Sequence, residues 1–262
     1  MLGLRQKMFF LVGLGLGENQ LTIEALEALK KCGRVFIESY TNLVPESAVM
    51  KLESEIGGKI TRLKRIQVED ESSQLISASK SNDIALCVVG NPLIATTHMQ
   101  LLLDAKEAGV KFRVIQGISV QNYLAETGLD AYKFGRIVTV VASDNGCNYS
   151  PESFFDFIEK NHSVGLHTLC LLDINPEKEN FMTVRESVCL LEEIENRRGA
   201  KIISESILLG LAGLGSENAL VQAGKAGLLE KFPESPLPQC LVVCGKLNEK
   251  EKEALKALSG LR

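Results

Sequence analysis

Residues 84–98 read Ile-Ala-Leu-Cys-Val-Val-Gly-Asn-Pro-Leu-Ile-Ala-Thr-Thr-His, an apolar run, then Gly-Asn-Pro, then small and hydroxyl residues. An apolar run without alternation is how a strand covered on both faces of a parallel sheet reads. Gly90 permits a close backbone approach, and Pro92 fixes φ and removes one donor. Thr96 or Thr97 can cap a helix over about 97–108 that stops at Gly109. In open α/β sheets ligands gather at the carboxyl ends of strands. The segment is therefore a pre-organised polar loop suited to a zwitterionic or nucleoside ligand; taken alone, it is equally an ordinary tight turn.

Outward from this loop, further apolar runs rich in β-branched residues are expected as strands at 8–12, 34–38, 112–115, 137–142, 167–173, 203–209 and 239–244. Between them lie helical patterns. Thr22 caps the first, Glu24 suits its positive end, Ile23, Leu26 and Leu29 recur at helical spacing, and Cys32-Gly33 closes it. Another is expected over about 184–198, stopping at Gly199. Strand–helix alternation along the whole chain predicts α/β layers. The polar segment DAYKFGR places a boundary near Phe134-Gly135, giving domains at 8–134 and 135–262. Residues 1–7 precede a second methionine at the first strand and read as a dispensable extension.

The strand at 8–12 runs directly into Gly13-Leu14-Gly15-Leu16-Gly17. A tight turn, a phosphate loop and a dinucleotide fold all use such glycines, and Glu38 ends the second strand where a ribose-binding acid would sit. Two features oppose the dinucleotide reading. The spacing lacks the third glycine, and Glu18 lies where a pyrophosphate needs bare amides.

Net charge is −4, Trp is absent and no Lys/Arg cluster carries interleaved aromatics, so nucleic acid is not the expected partner. The 7 cysteines form no CxxC pair and mostly lie in apolar segments, as buried thiols of a reducing compartment do. No metal is expected. The apolar run at 8–16 ends too early for a signal peptide or a membrane span, which predicts a cytoplasmic protein without membrane association.

The motifs GLGLG (13–17), VVGNPLIATTH (88–98), VIQGISV (114–120), AYKFG (131–135), GLHTLCLLDI (165–174) and LAGLGS (211–216) occur in this order and at family-like intervals. Together they resemble the diphthine synthases, of the tetrapyrrole (corrin/porphyrin) methylase class, from Met8 to about Gly245. The resemblance implies a two-domain α/β fold with the ligand cleft between the domains. It implies a methyltransferase using S-adenosyl-L-methionine, releasing S-adenosyl-L-homocysteine and needing no metal. The substrate implied is the modified histidine of translation elongation factor 2 in diphthamide biosynthesis, methylated on the amino group of its 3-amino-3-carboxypropyl arm. PESFFDFIEKN and HTLCLLDI resemble the eukaryotic branch, for which a carboxylate is a further acceptor.

Matched motif by motif, the donor-contacting positions implied are Leu16, Asn91, Ile94, Ser119, Val120, Leu172, Leu214 and Gln239. The chain departs from the family pattern at four positions. Asn91 stands in place of Asp, Gln116 in place of His, Gly213 in place of Arg and Gln239 in place of His. A homodimer is also implied, with the apolar residues 203–211 serving either an interface or a core strand. No catalytic base is readable; His98 is the best-positioned histidine and Tyr40 a candidate for substrate contact, with packing roles as the alternative for both. A donor- or elongation-factor-binding relative with weak or no catalysis, a small-molecule tetrapyrrole methylase and an NAD oxidoreductase stand as other readings.

Overall fold

The computed structural model describes residues 6–142, 151–175 and 180–261. Cys147 and most of the extension expected at 1–7 lie outside them. Packing divides the chain into two units, Met1–Val120 and Gln121–Arg262.

In the first unit, β1 (Met8–Gly13), β2 (Arg34–Glu38), β3 (Ile60–Leu63), β4 (Ile84–Val88) and β5 (Lys111–Ile115) form one parallel sheet in the order β3-β2-β4-β1-β5. Successive residues of β1 serve opposite faces. Phe9 and Leu11 pack with α4 (Ser72–Ala78) and α5 (Met99–Glu107) through Ile76, Leu101 and Ala105. Phe10 and Val12 pack with α1 (Ile23–Lys31) and α2 (Glu46–Ile56) through Ala25, Leu29, Val49 and Leu52. Both faces are buried, which is why the strands carry no polar alternation. A short helix, α3 (Arg65–Glu69), precedes α4. Thr22 caps α1 as expected, its hydroxyl accepting from Ala25 N–H at 3.0 Å. Its far end differs: Cys32 turns extended and donates N–H to Leu29 O, and Gly33 takes no left-handed conformation. The α5 cap also differs from expectation. His98 occupies the cap without a side-chain bond, and the Thr96 and Thr97 hydroxyls bond elsewhere.

One helical turn, α6 (Val120–Tyr123), and two 3₁₀ turns (Leu124–Thr127, Ala131–Lys133) lead into the second sheet. Packing places residues 121–134 with the second unit, ahead of the Phe134-Gly135 junction. Asp130 N–H donates to Glu251 at 3.1 Å and Ser259 Oγ reaches Thr127 O at 3.5 Å, tying this stretch to the chain's last helix.

The second sheet contains β6 (Val138–Val140), β7 (Thr168–Leu172), β10 (Leu208–Ala212), β11 (Leu220–Gly224) and β12 (Gln239–Val243), in the order β11-β10-β12-β7-β6. A two-residue hairpin, β8 (Ile174–Asn175) with β9 (Asn180–Phe181), stands apart. The helices are α7 (Ser153–Ser163), α8 (Val184–Arg198), α9 (Ala226–Leu229) and α10 (Glu249–Leu258). Only β6–β7 pair parallel; β7–β12, β12–β10 and β10–β11 are antiparallel. Apolar continuity in these strands thus reflects burial of both faces, not strand direction.

The strand expected at 203–209 begins later, at Leu208. Residues 202–204 instead wrap a buried carboxylate: Glu195 accepts the N–H groups of Ile202, Ile203 (2.6 Å) and Ser204 (3.0 Å). Ile203, Leu208, Leu209 and Leu211 are fully buried, so the apolar side chains of this strip are core. Among the described residues, no helix is long and apolar enough to cross a membrane.

Candidate functional site

In the first unit the loops after β1, β4 and β5 meet backbone to backbone. Leu14 N–H donates to Val88 O at 2.9 Å. Gly15 and Gly90 form an antiparallel bridge, with Gly90 N–H to Gly15 O at 2.8 Å and Gly15 N–H to Gly90 O at 3.3 Å. The third loop closes on these two. A Cβ on Gly13 would lie 2.6 Å from Gly117 N, and one on Gly117 would lie 2.1 Å from Gly90 O. Both separations are well inside contact distance, so glycine is obligatory at 13 and 117. Gly117 is the residue that the reading of motifs missed; a glycine closely following the apolar run at 112–115 is the signal that would have found it.

The loop amides at 16 and 17 are already used. Gln20 Oε1 accepts from Leu16 N–H at 2.9 Å and Gly17 N–H at 3.1 Å. Lys51 anchors the same loop through Asn19 at 2.8 Å and Glu18 at 3.8 Å. A phosphate would have to displace the Gln20 amide and then face Glu18. Glu38 is likewise committed: its buried carboxylate accepts Tyr40 N–H at 3.0 Å, Thr41 N–H at 3.1 Å and the Thr41 hydroxyl. The dinucleotide reading loses both its phosphate loop and its ribose acid.

The Gly-Asn-Pro loop is braced from inside. Asn91 Oδ1 accepts from Leu93 N–H at 3.0 Å, and Asn91 Nδ2 donates to Gln116 Oε1 at 2.5 Å and Gly117 O at 3.3 Å. Pro92 O accepts from the Thr96 hydroxyl at 2.7 Å and from His98 Nδ1 at 3.1 Å. A carbonyl only accepts, so the proton of neutral His98 sits on Nδ1 and its Nε2 accepts from the Tyr40 hydroxyl at 3.2 Å. Burial, and then the charges of Glu38 and Glu69, push the Tyr40 hydroxyl above its ordinary pKa. Tyr40 and His98 are both buried and bonded to each other, so they brace the loop. Ala95 has φ +57, a left-handed conformation that costs a non-glycine residue about 1 kcal/mol.

A pocket of about 220 Å³ beside the brace is lined by Val68, Glu69, Ser72, Thr97, Leu101 and Asp104 among others. Small-molecule sites usually begin near ~300 Å³. Its polar groups pair with one another, Ser72 with Asp104 at 2.8 Å and Thr97 with Glu69 at 2.8 Å.

Of the positions implied for donor contact, the first unit brings Leu16, Asn91 and Ile94 around the glycine junction. Leu16 and Ile94 are half-buried, and Leu16 Cδ2 lies 3.3 Å from where a Gly90 Cβ would stand. Ser119 is buried and Val120 half-buried just past Gly117. In the second unit Leu172 ends β7 with its side chain in the core, and Leu214 is half-buried in the turn after β10. Gln239, the first residue of β12, is fully engaged. Its Oε1 accepts Val184 N–H at 2.8 Å, and its Nε2 donates to Pro233 O at 2.8 Å and Pro236 O at 3.2 Å. Gly213 takes φ +57, and a Cβ there would meet Pro236 at 2.5 Å, so a side chain as large as Arg has no room. Among the described residues, no group of three or more His, Cys, Asp or Glu side chains is placed to hold a metal ion.

The sequence pattern of the Tetrapyrrole (Corrin/Porphyrin) Methylases matches residues 8–199. The diphthine synthase of Methanococcus vannielii is 36% identical over 253 residues, covering 96% of this chain and 98% of that protein. That of Methanocaldococcus jannaschii is 36% identical over 255 residues, with coverage of 96% and 98%. A crystal structure of diphthine synthase superposes with a TM-score of 0.87 at 29% identity, covering 97% of each chain.

Proposed function

The chain belongs to the diphthine synthase family within the tetrapyrrole (corrin/porphyrin) methylases, and from that membership we propose that it transfers methyl groups from S-adenosylmethionine to the modified histidine of translation elongation factor 2 in diphthamide biosynthesis. The observation that carries this reading is agreement with diphthine synthases over 96% of the chain, with both units included.

The first unit's loops fit such a donor. They present half-buried apolar side chains, Leu16 and Ile94, beside polar Asn91, and a nucleoside pocket is mostly apolar with few placed polar groups. The amides suited to a phosphate are occupied by Gln20, and the sulfonium donor has no phosphate. Ile94, Leu16, Ser119 and Val120 are proposed as donor contacts here, together with Asn91, whose side chain is committed to Leu93, Gln116 and Gly117 and leaves its backbone to make the contact. Leu172, Leu214 and Gln239 are the second unit's, where the buried or committed side chains of Leu172 and Gln239 leave backbone groups to make the contact.

When bound, the sulfonium supplies an activated methyl carbon and its own leaving group. What the protein must do is align the acceptor in line with that carbon and exclude water. The glycine junction and the Pro92–His98–Tyr40 brace hold the loops in fixed positions for this. The accepting amine has to be neutral, and desolvation lowers an amine's pKa. His98 and Tyr40, committed to each other, are not assigned as bases. The substrate is proposed to be elongation factor 2, the protein a homodimer and its compartment the cytoplasm.

Incubation of the protein with S-adenosylmethionine and elongation factor 2 bearing the unmethylated intermediate tests the reading. Mass spectrometry is expected to show added methyl groups on the modified histidine. Donor binding by calorimetry without any mass increase would reject the catalytic role.

A further inference from the structure

Asn91 and Gln116 together hold a fixed hydrogen-bond polarity at the glycine junction. Side-chain amides can be turned end for end, so their orientation has to come from partners that only donate or only accept. Asn91 has one of each. Leu93 N–H can only donate, which fixes Oδ1 toward it at 3.0 Å; Gly117 O can only accept, which fixes Nδ2 toward it at 3.3 Å. The same Nδ2 lies 2.5 Å from the Gln116 amide, which must therefore meet it with Oε1. Gln116 Nε2 is left over. Gln116 is exposed, it immediately precedes Gly117, and among the described residues its Nε2 has no partner. Neither amide titrates, so this polarity holds across the physiological pH range.

From this relay we propose that Gln116 is a ligand-contacting residue that donates Nε2–H to a carboxylate or carbonyl oxygen, and that Asn91 is the positioning residue that turns it. The proposal rests on the methyltransferase reading, in which two reactants carry such an oxygen: the amino acid moiety of the donor and the carboxylate of the modified histidine. Gln116→Glu replaces the donor with a negative acceptor of the same shape, and Gln116→Met removes hydrogen bonding. Asn91→Asp offers Gln116 an acceptor instead of a donor, so the Gln116 amide turns over and presents its oxygen.

The test measures S-adenosylmethionine and S-adenosylhomocysteine affinity by calorimetry, and the KM for elongation factor 2 in the methylation assay. Either donor Kd or protein-substrate KM is expected to rise about tenfold in Gln116→Met and further in Gln116→Glu. A changed Kd for both ligands places the contact on the donor; a changed KM alone places it on the protein substrate. Asn91→Asp is expected to reproduce the Gln116→Glu defect in the wild-type background and to add nothing to it in Gln116→Met. Unchanged Kd and KM in both Gln116 variants would overturn the proposal, as would an Asn91→Asp effect that is the same with and without Gln116. A wild-type protein that neither binds donor nor methylates removes the functional reading first, and that result is seen before any variant is made.

Discussion

At the scale of single residues, the glycine junction sets the tightest steric limit. Gly117→Ala puts a methyl group 2.1 Å from Gly90 O, a backbone atom that the Gly15–Gly90 bridge holds in place. We expect Gly117→Ala to lose about 3 kcal/mol or more in denaturant unfolding, with the donor-binding heat reduced alongside; a change under about 1 kcal/mol would contradict the packing described. Tyr40 supplies the opposite kind of test. Its hydroxyl bonds to buried His98, so Tyr40→Phe is expected to cost about 1 kcal/mol of stability and to leave the pH profile of methylation unchanged. A fall in kcat of about a hundredfold would instead mark Tyr40 as an acid or base. The spacing of residues near 40 and 98 showed that both follow strand ends, but not that they touch; a contact across 58 positions is made by the fold.

At the scale of elements, buried polar side chains decide where the helices and strands of the second unit begin. Helix α8 starts with a reciprocal cap, Thr183 with Glu186, and Gln239 satisfies Val184 N–H from another strand altogether. Gln239→Leu leaves Val184 N–H and the Pro233 carbonyl without partners. The expected cost is about 2–3 kcal/mol, read as a lower denaturation midpoint at unchanged slope. The α8 boundaries were legible in sequence from the helical pattern over 184–198 and its stop at Gly199. The start of β10 was not legible. The stretch at 203–209 reads as one strand, but Ser204, Glu205 and Ser206 interrupt its apolar run and the Glu195 carboxylate captures the amides of residues 202–204. Strand direction was hidden for a related reason: burial of both faces leaves the same apolar pattern whether neighbours run parallel or antiparallel.

At the scale of the whole molecule, Lys133, His167 and Glu251 join the AYKFG motif, the β7 edge and α10. Glu251 accepts from the Lys133 ammonium, from His167 Nε2 at 2.9 Å and from Asn248 N–H at 2.8 Å, while His167 Nδ1 accepts Gly245 N–H at 3.0 Å. Burial lowers the His167 pKa, outweighing Glu251, so the ring is neutral. Burial alone would raise Glu251, but the hydrogen bonds from Lys133, Asn248, His167 and Asp130 outweigh it and hold the carboxyl at about 2. In both groups the folded state binds fewer protons than the unfolded chain as pH falls. Stability is thus full above the unfolded histidine value near ~6.5, declines below it, and declines further from about 4.5 toward 2 as Glu251 protonates. The melting temperature is expected to follow that course, and Glu251→Gln to be less stable at pH 7 with a flatter acid limb; a wild-type melting temperature that is constant from pH 7 to 4 would contradict the buried cluster. What the sequence by itself determined is the local chemistry: buried apolar runs, the glycine and Gly-Asn-Pro turns, the cap at Thr22, and the order of motifs that marks the family. Which loops press together at Gly13, Gly90 and Gly117, which strands run antiparallel, and which carboxylates and amides are already satisfied were decided only in the tertiary structure. Local signals act within about one helical turn, whereas a hydrogen-bond partner or a forbidden Cβ depends on residues brought together from dozens of positions away.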